Sequence, residues 1–186
     1  VPLAAEGSVL RAAAGAATVE LAELSPPGGL LLVMPHPDDE TLGCGQALAA
    51  AADAGRDIGL VLVTDGEGSH PGCDPGEIAG LRQAELEAAL AVLSPARAIA
   101  VLRLGLRDGH ARRDALSGER WQALLGFAQS YAPQAIWTTS PLDPHCDHRA
   151  AHAIARDLAE HCGAALWSVP VWGRFGERAL PESALR

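Results

Sequence analysis

Leu30-Leu31-Leu32-Val33-Met34-Pro35-His36-Pro37-Asp38-Asp39-Glu40 sets an uninterrupted apolar run directly against a turn dense in ionisable side chains. An apolar run with no polar face reads as a strand covered on both sides, the habit of a parallel sheet held between helices. The apolar-rich residues 41–54 read as the helix that follows.

The same alternation recurs along the chain. Residues 58–63 repeat the strand pattern and end in Thr64-Asp65-Gly66. Asp74-Pro75-Gly76-Glu77 supplies an N-cap, a proline in the first turn and a following glutamate, predicting a helix to 93. Residues 98–102 read as a third strand, 117–131 as a helix and 135–139 as a fourth strand. A helix capped by Asp147 then runs to 161, and 164–169 is a fifth strand. Ahead of the Ser25-Pro26-Pro27-Gly28-Gly29 breaker, residues 9–21 read as a peripheral helix. Strands alternating with helices imply a Rossmann-like three-layer α/β/α fold with a mostly parallel sheet, because parallel neighbours need a crossover connection. One domain over 1–186 is expected, with 1–28 a peripheral N-terminal segment and 170–186 a C-terminal extension. In such a sheet ligands bind outside the carboxyl ends of the strands, where 36–40, 64–70, 105–110 and 140–148 fall.

Composition narrows the chemistry. The net charge of −9 gives no electrostatic reason to bind nucleic acid or an anionic membrane, which leaves a small-molecule partner. All 14 basic residues are arginine, so mechanisms that need a Schiff-base or phosphate-loop lysine are excluded, as is a phosphoaspartate receiver. Cys44, Cys73, Cys146 and Cys162 form no CxxC pair and fit reduced thiols in a cytoplasmic protein. No run suits a membrane span, and no charged-then-apolar leader precedes a cleavage site. A homo-oligomer is compatible with all of this.

His36 and Asp39 stand three residues apart on the turn leaving the first strand, close enough for an imidazole nitrogen and a carboxylate oxygen to share one divalent ion. Two ligands alone bind weakly; the His145 and His148 pair after the fourth strand offers a third at the same sheet edge. Two histidines and one carboxylate leave a position open for water, as catalytic zinc requires and as iron(II) also accepts. Asp38, beside the ligand Asp39, is then placed to take a proton from that water. A second histidine, protonated and held by an acidic neighbour, would stabilise the oxyanion or protonate the leaving amine.

At these residues the sequence resembles the PIG-L/LmbE-like deacetylases, metal hydrolases that remove acetyl from N-acetylglucosamine-type substrates. The similar features are His-Pro-Asp-Asp-Glu after strand one, Thr-Asp-Gly-Glu after strand two, Arg82 and Glu85 in Arg-x-x-Glu, and His-x-Asp-His near strand four. The resemblance implies His36, Asp39 and His148 as zinc ligands and Asp38 as general base. It also implies His145 at the oxyanion, Asp147 orienting or tuning it, and Arg82 in contact with substrate. Cys146 stands where the family usually has proline, and Pro35 where a small residue is common. The expected activity is removal of an N-acetyl group from an amino sugar or its conjugate. The alternatives are cleavage of a larger amide on an amino-sugar thiol conjugate, and a metal-containing sugar-binding module without catalysis.

Other candidates have plainer readings. Cys146 reads as a neighbour of the metal, because a thiolate would fill the open position. His70, His110 and His161 read as surface residues, with His110 the one whose loop borders the site, and His152 as a packing or solvent-facing residue. Glu40 and Asp65 are open between bracing a ligand and shaping a turn, Arg82 between substrate and the nearby Glu85 or Glu87, and Trp167 and Trp172 between core and a sugar-stacking platform.

Overall fold

The computed structural model describes residues 15–175. Five strands, β1 (Gly29–Met34), β2 (Asp57–Thr64), β3 (Ala100–Leu106), β4 (Pro133–Thr139) and β5 (Ala165–Val169), form one sheet in the order β3-β2-β1-β4-β5. Every neighbouring pair is parallel. The helices are α1 (Leu21–Leu24), α2 (Asp39–Asp53), α3 (Pro75–Leu93), α4 (Gly118–Tyr131) and α5 (Cys146–Cys162), with 3-10 turns at Arg113–Ala115 and Trp172–Phe175.

Strand β1, which carries the apolar run of residues 30–34, is buried along its whole length at the centre of the sheet. Its alternate side chains enter opposite layers. Leu31 and Val33 pack with Leu124 of α4 and Ile154 and Leu158 of α5; Leu30, Leu32 and Met34 pack with Leu48 of α2 and Leu86 and Leu90 of α3. This double cover makes the fold a three-layer, Rossmann-like α/β/α sandwich. On α5 the stripe of Ala151, Ile154, Ala155 and Leu158, all fully buried, faces the sheet at helical spacing. Removing one fully buried leucine, as in Leu32→Ala, is expected to destabilise by about 2–5 kcal/mol.

Several boundaries differ from the sequence reading for physical reasons. Helix α2 starts at Asp39 instead of 41, because Asp38 takes the non-helical cap conformation. Strand β3 runs over Ala100–Leu106 instead of 98–102; it is an edge strand, so Arg103 can sit within it and pair outward with Asp65 at 2.8 Å. The N-cap of α5 is His145, whose Nδ1 accepts the Asp147 N–H, so Asp147 is not the cap but lies inside the first turn. Of the helix expected over 9–21, residues 9–14 lie outside the described residues, 15–20 are non-helical, and a single turn forms at Leu21–Leu24.

The strand order reverses at β1, with one half of the chain running out to β3 and the other to β5. The connections after β1 and β4 therefore diverge and leave a crevice at the carboxyl ends of the strands. Buried threonines at the strand ends pin its walls. The Thr64 hydroxyl donates to the Pro35 carbonyl at 3.0 Å, and the Thr139 hydroxyl donates to the His148 carbonyl at 3.0 Å. No helix among the described residues is long and apolar enough to cross a membrane.

Candidate active site

The crevice is a cavity of about 620 Å³ whose lining includes His36, Asp38, Asp39, Asp108 and His145. Beneath its floor lie Asp147 and His148, both fully buried. The turn after β1 and the start of α5 thus meet, although 111 residues separate His36 from Asp147.

One Asp39 oxygen, Oδ2, lies 3.1 Å from His36 Nδ1 and 3.5 Å from His148 Nε2. The other nitrogen of His148, Nδ1, donates to Asp143 Oδ2 at 2.8 Å. Asp143 is held ionised: burial pushes its pKa up, but bonds from His148 and from the Val171 and Gly173 N–H groups outweigh that and lower it. With the proton on Nδ1, Nε2 presents a lone pair, and this buried atom has no hydrogen-bond partner among the described residues. An orphaned acceptor of this kind is uncommon in a folded interior. Beside a carboxylate oxygen and a second imidazole, it fits a divalent cation. Separations of 3.1 and 3.5 Å suit neighbouring ligands around an ion with bonds of about 2.0–2.2 Å. Ring nitrogens of His36, His145 and His148 also lie within 4.8 Å of one another.

His36 Nε2 points away from Asp39, to Asp108 Oδ1 and Asp147 Oδ2, each at 3.1 Å. Burial lowers its pKa, but Asp108, Asp147 and Asp39 together overcome this and raise it to about 11. Three carboxylates around one imidazole favour whatever cation sits there, proton or metal. A metal ligand needs the neutral ring, so metal binding at His36 displaces a proton.

Asp147 also receives the N–H of Gly109 at 2.7 Å and of Ala111 at 2.8 Å. These bonds and His36 outweigh burial and hold its pKa well below the usual carboxylate range. Its carboxylate is 4.0 Å from His145 Nδ1, so its direct grip is on His36 and on the loop after β3. The Asp147 backbone N–H donates to His145 Nδ1 at 3.3 Å. Burial, followed by the charge on His36, lowers the His145 pKa. A neutral His145 with Nδ1 accepting carries its proton on Nε2.

Asp38 stands at the cavity wall with φ 141° and ψ −24°, in the region that favours glycine. Its N–H donates to Glu40 Oε2 at 3.1 Å, so Glu40 braces this turn. Arg82 Nη2 reaches from α3 to Asp38 Oδ2 at 2.6 Å and to the Pro37 carbonyl at 2.7 Å. Arg82 is therefore tied to the turn after β1 in place of Glu85 or Glu87. Burial and the Asp39 carboxylate raise the Asp38 pKa to about 6, against the pull of Arg82 and His36.

Asp108 and Asp143 were not singled out from sequence. Asp108 lies in the segment 105–110 that the sequence places at the carboxyl ends of the strands, but in that loop the histidine at 110 drew the attention instead of the carboxylate two residues before it. Asp143 carried a faint signal as a carboxylate on the tight turn before two histidines. Cys146 donates its thiol to the Gly109 carbonyl at 3.1 Å, and His110 lines the cavity. Asp65 pairs with Arg103 and not with His36 or His148.

A model of the family described as GlcNAc-PI de-N-acetylase, PIG-L, matches residues 31–159. A 1D-myo-inositol 2-acetamido-2-deoxy-alpha-D-glucopyranoside deacetylase of Rhodococcus erythropolis is 29% identical over 171 residues, covering 76% of this chain and 58% of the relative. The enzyme of that name from a Nocardioides species is 31% identical over 198 residues, covering 84% and 65%. The chain thus spans roughly three-fifths of these relatives. Among solved structures, the N,N'-diacetylchitobiose deacetylase of Pyrococcus horikoshii superposes with a TM-score of 0.63 at 24% identity, over 73% of this chain and 50% of that one, a likeness of fold. With the family match running from β1 through most of α5, across the turn after β1, the loop after β3 and the start of α5 that carry the ionisable residues of the cavity, the chain belongs to the PIG-L de-N-acetylase family.

Proposed function

We propose that this chain is a metal-dependent hydrolase that removes the N-acetyl group from an N-acetylglucosamine-type amino sugar or its conjugate, the substrate class named for its curated relatives. The observation that carries the reading is the buried, unpartnered Nε2 of His148, facing an oxygen of Asp39 beside His36 under the cavity floor. His36, Asp39 and His148 would hold the ion, with zinc as the first candidate and iron(II) chemically equivalent for this donor set. When bound, such an ion supplies Lewis acidity and lowers the pKa of a coordinated water to about 7.

The remaining steps belong to the chain's own side chains. Asp38 accepts a proton from the attacking water, and Arg82 and Glu40 fix its direction. His145, neutral with Nε2–H, donates to the oxygen on which charge develops. Asp38 then returns its proton to the leaving nitrogen, so amide and water give acetate and a free amine. Asp147 positions His36 and the loop after β3, and Asp143 positions His148. Arg82 borders the cavity, where its remaining donors are available to sugar hydroxyls. The four free thiols support a reducing, cytoplasmic setting.

The test is amine release from N-acetylglucosaminyl glycosides by protein stripped with chelator and then reloaded. Activity should vanish on stripping and return with zinc or iron(II). Undiminished turnover by fully stripped protein would overturn the reading.

A further inference from the structure

At the mouth of the cavity the chain exposes two large apolar side chains that the proposed reaction does not use. Leu42, from the first turns of α2, and Trp172, just after β5, are each 56% exposed, and both line the cavity. The same cavity is lined by charged and polar groups, Glu67, Arg82, Arg107 and His110. The lining therefore offers two kinds of partner, polar groups suited to hydroxyls and apolar surface suited to carbon.

The apolar surface is held in place. The Asp143 carboxylate accepts the Val171 N–H at 3.0 Å and the Gly173 N–H at 2.7 Å, gripping the backbone on both sides of Trp172. Position 173 must be glycine for this approach, since a Cβ there would stand 2.7 Å from Asp143 Oδ1. Arg174 then donates to the Gly43 carbonyl at 2.6 Å, tying the same segment to the residue next to Leu42. A Cβ at Gly43 would meet the Val169 side chain at 2.9 Å, so the segment and α2 are in close contact. The carboxylate that orients His148 thus also fixes the presentation of Trp172.

We infer that Leu42 and Trp172 form a subsite for an apolar, flat group carried by the substrate on the far side of its sugar ring. This inference rests on the proposed de-N-acetylase function and names the substrate class more closely: a glycoside with an aromatic or similarly carbon-rich aglycone, in contrast to a polyol. The amide must reach the buried donors at the floor. The part of the substrate left beside the exposed pair at the mouth is the part furthest from the amide. An indole face gains most from a flat ring or a row of C–H groups laid against it.

The test compares phenyl and methyl β-glycosides of glucosamine, which have no amide to cut, by calorimetry on the metal-loaded protein. The phenyl compound should bind about tenfold more tightly. That preference should fall to near unity in Trp172→Ala, shrink in Leu42→Ala, and return in Trp172→Phe. No phenyl preference in the parent protein, or one that persists in Trp172→Ala, overturns the inference. A parallel arm lengthens the acyl group from acetyl to hexanoyl on a methyl glycoside. If Trp172→Ala abolishes a gain from the longer acyl chain and not the gain from phenyl, the aglycone assignment is overturned. Phenyl-selective binding by a protein that releases no amine from any N-acetylated glycoside would remove the de-N-acetylase reading and leave the subsite standing.

Discussion

His148 Nδ1 donates to Asp143 Oδ2 at 2.8 Å with both side chains fully buried, and this one bond decides which nitrogen of the ring faces Asp39. Asp143→Asn should keep the fold but lose the enforced tautomer, because an amide can offer its NH2 group to the ring. Zinc affinity, read by competition with a chromophoric chelator, is expected to fall about 10–100-fold. Unchanged affinity would show that the ring is oriented without Asp143.

Asp38→Asn should retain the metal and lose about 10²–10⁴-fold in kcat, because it removes a base and not a ligand. The pH dependence follows from the raised pKa. Asp38 must be ionised to accept a proton, so kcat/KM should fall as pH drops through about 6. Arg82 pulls that pKa down, so Arg82→Gln should move the acid limb to higher pH. A limb that stays in place in Arg82→Gln would assign it to another group.

For His145 the lowered pKa gives an opposite expectation. Acting as a neutral donor, it should cause no loss of turnover between pH 6.5 and 8, whereas an obligatory imidazolium would lose activity over that range. His145→Ala should reduce kcat by about 10²–10³-fold with metal retained. Metal content by atomic emission and a pH–rate profile separate the two cases.

Asp147→Asn tests the buried anchor beneath the floor. A carboxylate whose folded pKa is depressed adds stability that is present above its ordinary value near 3.8 and is lost as pH falls below it. The variant should lose about 1–3 kcal/mol at neutral pH, because one of two backbone donors would face an amide NH2. The gap to the parent should narrow toward pH 3. A constant gap across pH in chemical denaturation would contradict a role for the ionised carboxylate.

Much of this was legible in the sequence because burial and turn chemistry are local. Leu30 to Met34 announced a doubly covered strand, and Asp74-Pro75 announced the start of α3, where the Asp74 carboxylate receives the Glu77 N–H at 3.0 Å. The convergence of residues 36–39 with 145–148 followed from the rule that such sheets bind ligands at their carboxyl ends. The pairings that needed three dimensions escaped. Arg82 offers nothing along the chain to select Asp38 over a glutamate one turn away, yet the packing of α3 beside α2 aims it across the crevice. Asp147 has the profile of an N-cap, but the backbone donors of Gly109 and Ala111, brought in by the loop after β3, draw it inward and leave the cap to His145. Arg103 made β3 look finished because nothing in the sequence marks a strand as an edge.

The backbone at Asp38, with φ 141°, sets thermal robustness against turnover at a single position. Glycine there would adopt the turn without steric penalty and is expected to raise the melting temperature, while removing the proposed base entirely. A selection for heat resistance alone would therefore drift toward a sturdier and inert protein, and only a selection that reads released amine would retain the aspartate.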